Sequence, residues 1–298
     1  MWRQKLYVLF SPFINRNAAK KSSLSKFLRN VFSSIFIPSK SNVMGSVMYL
    51  HKAGHSFELA FEGGYELLET AFLKQLNLKG RVAADVGSCI GYYALLLSRT
   101  VGDGGQVFAF EPESENYSLL QKSIAANNIK NIFTQPLAVG DKAGEVYLRK
   151  SSSPGQHQLT LNSENAVKVS IVSLDSFFRD LKIDYKNIGY VKIDVEGNEH
   201  KVLQGMVGII NAAEDLVVQF EYAPQHLEEL GCNFNELFSF IQEHKFKVYY
   251  WDLESNKMLE CKDINWFLED VTIEEFKKGV LYSRNLILSK RAISPVTV

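Results

Sequence analysis

Apolar and polar positions along this chain switch repeatedly between two periods. Short, nearly unbroken apolar runs read as strands, and stretches with apolar residues three and four apart read as helices. From residue 81 the two kinds take turns: strand 81–85, helix 90–99, strand 105–110, helix 114–127, strand 132–138. The helix at 114–127 rests on Tyr117, Leu120 and Ile124, and Asn127, Asn128 and Asn131 mark its end. Short strands at 144–148 and 166–171 flank the polar stretch Ser151-Ser152-Ser153-Pro154-Gly155. A short helix over 175–181 precedes a strand over 188–193, and Gly197 opens a helix that Gly205 interrupts. Strand 216–220, helix 233–244, strand 247–251 and a closing strand at 286–288 complete the pattern. Ahead of it, 46–62 reads as an alternating hairpin (Val47 to Leu50, then Phe57 to Phe61) and 66–76 as a helix. Alternation of this kind predicts an α/β fold, a mostly parallel sheet with helices on both faces and ligands at its carboxyl edge.

The first 45 residues follow another rule. No Asp or Glu precedes Glu58, while Arg3, Lys5, Arg16, Lys20, Lys21, Lys26, Arg29, Lys40 and Lys52 all do. Leu24, Phe27, Leu28, Val31, Phe32, Ile35 and Phe36 recur at helical spacing until Pro38 stops them. This is a basic amphipathic helix. Three readings stay open: contact with an anionic membrane surface through 20–37, organelle targeting, or packing on the following domain. No apolar run reaches the roughly 18 residues needed to span a bilayer. The expected organisation is a leader over 1–45, one domain over 46–290 and a tail over 291–298.

Composition narrows the class only slightly. A hydrophobic content of 46% in 298 residues supports a sizeable core, and zero net charge argues against a protein that coats nucleic acid. Cys89, Cys232 and Cys261 are odd in number and widely spaced, so neither a disulfide framework nor a zinc pattern is expected. A reducing, cytoplasmic setting fits them, with peripheral membrane contact left to the leader.

Chemistry concentrates at strand ends. Asp85-Val86-Gly87-Ser88-Cys89-Ile90-Gly91 follows the first core strand and opens a helix. Gly87 and Gly91 allow positive φ and close approach of a ligand. A dinucleotide site would want Gly-x-Gly-x-x-Gly, with a pyrophosphate on the helix N-terminus. An acid two residues before the first glycine would repel that group and suits a cation, such as the ammonium of a methionine moiety. The pattern is the first motif of S-adenosylmethionine-dependent methyltransferases. The next strand ends in Glu111, placed to accept hydrogen bonds from both ribose hydroxyls.

A second cluster runs from Tyr190 to Glu199. Strand alternation puts Lys192 and Asp194 on one face. Asp194 falls where the strand leaves the sheet and is the first candidate to orient an acceptor hydroxyl or take its proton; Lys192 is its candidate partner. Glu196 and Glu199 follow in the turn, where acids complement a helix dipole. Glu221 ends the next strand on the acceptor side. His157, His200 and His226 lie near the same edge by sequence position, His157 within a polar insertion able to fold over the site.

Taken together, these stretches resemble the FkbM family of methyltransferases. The likeness runs through Ala84–Tyr93, Phe110-Glu111-Pro112, Leu137–Asp141, Ser173–Ser176, Val191–Glu199, Leu203-Gln204-Gly205 and Phe220-Glu221. The resemblance implies a class I Rossmann-like fold with a seven-stranded sheet, S-adenosylmethionine as cofactor, and O-methylation of a hydroxyl on a sugar or secondary metabolite. It implies cofactor contacts from Glu66, Asp85, Gly87, Ser88, Gly91, Tyr92, Glu111, Pro112 and Ala138. Asp85, Gly87 and Gly91 would take the methionine end, Glu111 the ribose and Ala138 the adenine, with Glu66 reaching the ammonium. Catalytic roles fall to Asp194, Lys192 and Glu221, with no metal. Tyr222 and Ala223 depart from the family pattern after Glu221.

The function expected is thus methyl transfer to a carbohydrate hydroxyl, with no nucleic-acid partner. Other acceptors (a polyketide, a lipid, an amine) and a non-catalytic cofactor-binding module are the alternatives. A nicotinamide dehydrogenase is disfavoured by the missing middle glycine. The loops at 150–165, 222–232 and 252–283 are expected to choose the acceptor, and Trp251 and Trp266 read mainly as core packing.

Overall fold

The computed structural model describes residues 35–151, 153–252, 255, 257–264 and 283–293. Five parallel strands make the centre of its main sheet: β3 (Val82–Val86), β4 (Gln106–Phe110), β5 (Ile132–Gln135), β10 (Ile188–Ile193) and β11 (Val217–Tyr222). β3 and β10 are buried at every position, which is why they read as unbroken apolar runs rather than alternating ones. Val82, Ala84 and Val86 join the core on one face of the sheet, and Ala83 joins the core on the other. The helices that cover them are α3 (Tyr92–Val101), α4 (Ser114–Ala126), α5 (Leu174–Asp180), α6 (Glu199–Gln204), α7 (Val207–Ala212), α8 (Pro224–Glu229) and α9 (Phe234–Glu243).

The sheet continues antiparallel from β11 through β14 (Arg284–Ser289), β12 (Lys247–Asp252) and β13 (Lys257–Cys261). Its order is β13-β12-β14-β11-β10-β3-β4-β5, a doubly wound α/β sheet whose strand order reverses between β3 and β10. That is the class I arrangement expected, with β13 added as an eighth, outermost strand. Helix α5 is tied to α7 by its own side chain: Asp175 accepts from Gly208 N at 2.7 Å and Ile209 N at 3.0 Å, capping the start of α7.

Three local expectations are corrected. The hairpin exists, but its arms are β1 (Lys40–Val43) and β2 (Ser46–Tyr49), joined through Met44 and Gly45, both with φ > 0. Phe57 to Phe61, expected as a strand, lies in helix α1 (Ser56–Phe61), where Phe57 and Phe61 meet one turn apart with ring centroids 4.8 Å from each other. Short apolar runs are ambiguous between the two periods, and packing decided this one. The expected strand 132–138 divides: β5 stays in the main sheet, while β6 (Ala138–Val139) joins a separate four-stranded sheet of order β6-β9-β7-β8. Its other strands are β7 (Gly144–Arg149), β8 (Gln158–Thr160) and β9 (Ala166–Val172). The remaining helix, α2 (Leu67–Gln75), precedes β3 as expected.

Residues 1–34, which hold most of the expected amphipathic helix, lie outside the described residues, as does Trp266. Ile37 is fully buried, and β1 pairs along its length with β2. Trp251 is buried among core residues. Among the described residues no helix is long and apolar enough to cross a membrane.

Replacing Asp175 with Ala leaves two helix N–H groups without their acceptor. Denaturant unfolding of Asp175→Ala should show a loss of about 1–2 kcal/mol.

Candidate active site

The carboxyl ends of β3, β4, β10 and β11 open into a cavity of about 1180 Å³, partly continuous with solvent. The turn after β3 is shaped by contact with β10. Asp194 N donates to Val86 O at 3.0 Å, and a Cβ added to Gly87 (φ +81) would lie 1.8 Å from Asp194 O. No side chain fits there, so Gly87 lets two strand ends touch through their main chains. Gly91 (φ +94) is needed for another reason: its missing Cβ would strike Leu120 Cδ1 at 2.4 Å.

Asp85 is wholly buried, and among the described residues neither carboxylate oxygen has a hydrogen-bond partner. Ser88 Oγ donates instead to the Asp85 main-chain carbonyl at 2.7 Å. Burial pushes the Asp85 carboxyl up to about 6, against the pull of the Lys192 ammonium. Glu111 ties the two turns together, accepting from Cys89 N on Oε2 and from Glu113 N on Oε1, each at 2.8 Å. Burial lifts it to about 7, although both N–H groups favour its charged form.

On the opposite wall Lys192 is 3% exposed and donates to Asp194 Oδ2 at 2.6 Å. Burial disfavours its charge, but Asp194, Glu66 and Asp85 outweigh that and raise its affinity for the proton. Burial would likewise lift Asp194, yet Lys192 overrides it and holds the carboxyl below its ordinary value. Glu221 goes the other way: burial, then the charges of Asp194, Glu196 and Glu199, push it well above the carboxylate range. One oxygen from each of Asp194, Glu196 and Glu221 falls within 4.8 Å of the others. Glu196 adopts a left-handed conformation (φ +54), with its Oε2 2.8 Å from His226 Nδ1.

The pattern of the Methyltransferase FkbM domain matches residues 85–248, more than half of the chain. The chain belongs to the FkbM methyltransferase family. The hexuronic acid methyltransferase AglP of Haloferax volcanii is 24% identical over 135 residues, covering 45% of this chain and 54% of that relative, so the chain spans about half of its length. Solved structures with a partial likeness include an rRNA methylase from Streptococcus thermophilus (TM-score 0.42, 11% identity, 76% of this chain and 95% of that one). Another is the Streptococcus mutans protein SMU.1697c in complex with SAH (TM-score 0.42, 13% identity, 74% and 95%). The family assignment rests on the domain match.

S-adenosylmethionine is the cofactor of FkbM methyltransferases, and the site fits it. Asp85 offers two buried acceptor atoms that no group among the described residues donates to, as a cationic amine requires, and Gly87 leaves the adjoining main chain bare. Of the expected residues, Asp85, Gly87, Ser88, Tyr92, Glu111, Pro112, Ala138, Lys192, Asp194 and Glu221 all line the one cavity. Gly91 and Glu66 do not. Gly91 is turned to Leu120, as described above. Glu66, expected at the ammonium, accepts from the Tyr93 hydroxyl at 2.5 Å and from Asn285 Nδ2 at 2.9 Å.

His157 and its insertion reach the cavity, Asn116 Nδ2 holding Pro154 O at 3.0 Å. His200 lines a separate cavity with Asn233 and Glu236, and His226 acts on Glu196. Glu199 is a wholly buried brace, accepting from Val195 N and Gly197 N at 2.9 Å each. Sequence reasoning missed Tyr93, His51, His55 and Asn116 as cavity residues. Tyr93 stood inside the matched motif, one residue past Tyr92; the two histidines lay in a stretch whose period was misread.

Gly87→Ala would force a Cβ onto the Asp194 carbonyl and into a left-handed backbone. Thermal and denaturant unfolding should show a loss of at least about 2 kcal/mol.

Proposed function

We propose that this chain is an S-adenosylmethionine-dependent O-methyltransferase whose acceptor is a sugar hydroxyl. The observation that carries the reading is the pair Asp194 and Glu221, neighbouring carboxyls on one cavity wall whose proton affinities are pushed in opposite directions, down by the Lys192 ammonium and up by burial. Environments that split two acids in this way mark proton-handling groups. When bound, S-adenosylmethionine supplies a methyl on a sulfonium that leaves as a neutral thioether. Its ammonium is assigned to the Asp85 carboxylate. Its ribose hydroxyls are assigned to Glu111, whose oxygens each keep a lone-pair site after accepting one N–H.

The acceptor hydroxyl must be aligned with the reacting carbon and lose its proton during attack. Asp194, ionised and fixed by Lys192, would accept that proton, and Glu221 would donate a hydrogen bond to another acceptor oxygen. The similarity to a hexuronic acid methyltransferase supports a sugar acceptor.

Calorimetry with S-adenosylmethionine, followed by transfer of a labelled methyl to neutral hexosides, hexuronosides, lipid alcohols and polyketide alcohols, tests the reading. Asp194→Asn should lower transfer by about 10²–10⁴-fold while leaving cofactor affinity within about threefold. Unchanged transfer in that variant, or preference for a non-sugar acceptor, overturns it.

A pH dependence follows from Asp85. Its buried carboxyl takes up a proton as pH falls through about 6, and the neutral acid no longer pairs with an ammonium. Glu111, near 7, changes in the same direction. Calorimetric affinity for S-adenosylmethionine should be full above pH 8 and weaken about tenfold or more by pH 5.

A further inference from the structure

Lys192 is held by more than its carboxylate. Its ammonium lies 4.6 Å from the centroid of the Tyr93 ring, on the ring face, while donating to Asp194. An aromatic face attracts a cation through its quadrupole, and more strongly where water is absent. Both groups are nearly free of solvent, at 3% and 4% exposure. The ring itself has little freedom. Its hydroxyl donates to Glu66 Oε2 at 2.5 Å and accepts from Gln219 Nε2 at 3.0 Å. Glu66 is gripped by Asn285 of β14, and Gln219 of β11 accepts from the Tyr190 hydroxyl of β10 at 2.6 Å. A buried chain across three strands and the start of α2 therefore ends on one tyrosine ring.

We propose that Tyr93 is a positioning residue for the transfer reaction. Its ring face keeps the Lys192 ammonium seated against Asp194, and the Glu66–Gln219 hydrogen bonds keep the ring in place. The functional meaning rests on the reading that Asp194 meets the acceptor. A tyrosine that merely filled space would be insensitive to the electron density of its ring, whereas one that holds an ammonium responds to it.

The groups acting on Asp194 come from several elements: Lys192 of β10, Glu221 of β11, Glu196 and Glu199 beyond β10, Asp85 of β3, Glu66 before α2, and His55 before α1. Among these the ring touches Lys192, so a change confined to the ring face reaches Asp194 through that ammonium. A weaker hold on the ammonium loosens the ion pair and makes Asp194 easier to protonate.

The test uses the full chain with ¹³C-labelled aspartate, the Asp194 signal being identified by its loss in Asp194→Asn. Position 93 is filled in turn by Phe, 3,5-difluoro-Phe and 3,4,5-trifluoro-Phe. These rings keep nearly the same shape while their cation affinity falls stepwise, and Tyr93→Phe serves as the reference that already lacks the hydroxyl. The carboxyl titration midpoint of Asp194 should climb along the series, by about one pH unit in all. Far-ultraviolet circular dichroism and a cooperative thermal transition verify folding of each variant. Coincident midpoints across the series overturn the proposal. A rising midpoint in a protein that methylates no sugar supports the positioning role and removes the proposed function instead.

Discussion

An ammonium sealed from water is tolerable only if carboxylates surround it, and Lys192 has them from three separate elements. Asp85 comes from β3, Asp194 from the end of β10, and Glu66 from the left-handed residue ahead of α2. Burying such an ion costs several kcal/mol even after relaxation, and breaking one buried pair typically costs about 3–5 kcal/mol. The three elements are thereby obliged to meet at one point. The cavity is built around that point: Asp85 faces the side assigned to the cofactor, Asp194 the side assigned to the acceptor.

Sheet register delivers this convergence. Lys192 is opposite Asp85 in the parallel pairing of β10 with β3, and opposite Gln219 in the pairing with β11. A slip of one residue would carry Lys192 to the other face of the sheet. The apolar residues on both faces prevent it, because every position of β3 and β10 is buried. Core packing thus protects the charge arrangement as well as the fold.

The central strands were legible because burial on both faces leaves unbroken apolar runs, and the turn after Asp85 because its glycines answer to steric need. Gly87 is explained by the carbonyl of Asp194, a contact that no local pattern displays. The partners of Glu66 were hidden for a related reason. An acid before a helix, read alone, points to solvent or a ligand; its partners Tyr93 and Asn285 stand 27 and 219 residues away. Phe57 to Phe61 could pack with either period, and burial of Phe57 and Leu59 in the core chose the helix. Two strands of the second sheet were legible at 144–148 and 166–171, but β8, three residues long and half exposed, carries little apolar signal, and no local pattern tells which sheet a short strand joins.

Glu111 has one further implication. Its two oxygens already hold the amides of Cys89 and Glu113, and those amides belong to the turns that wall the cavity. The acid is thus a permanent strut, rigid before any guest arrives. Recognition of a nucleoside at such a strut demands little ordering of loops, so the entropic penalty of association stays small.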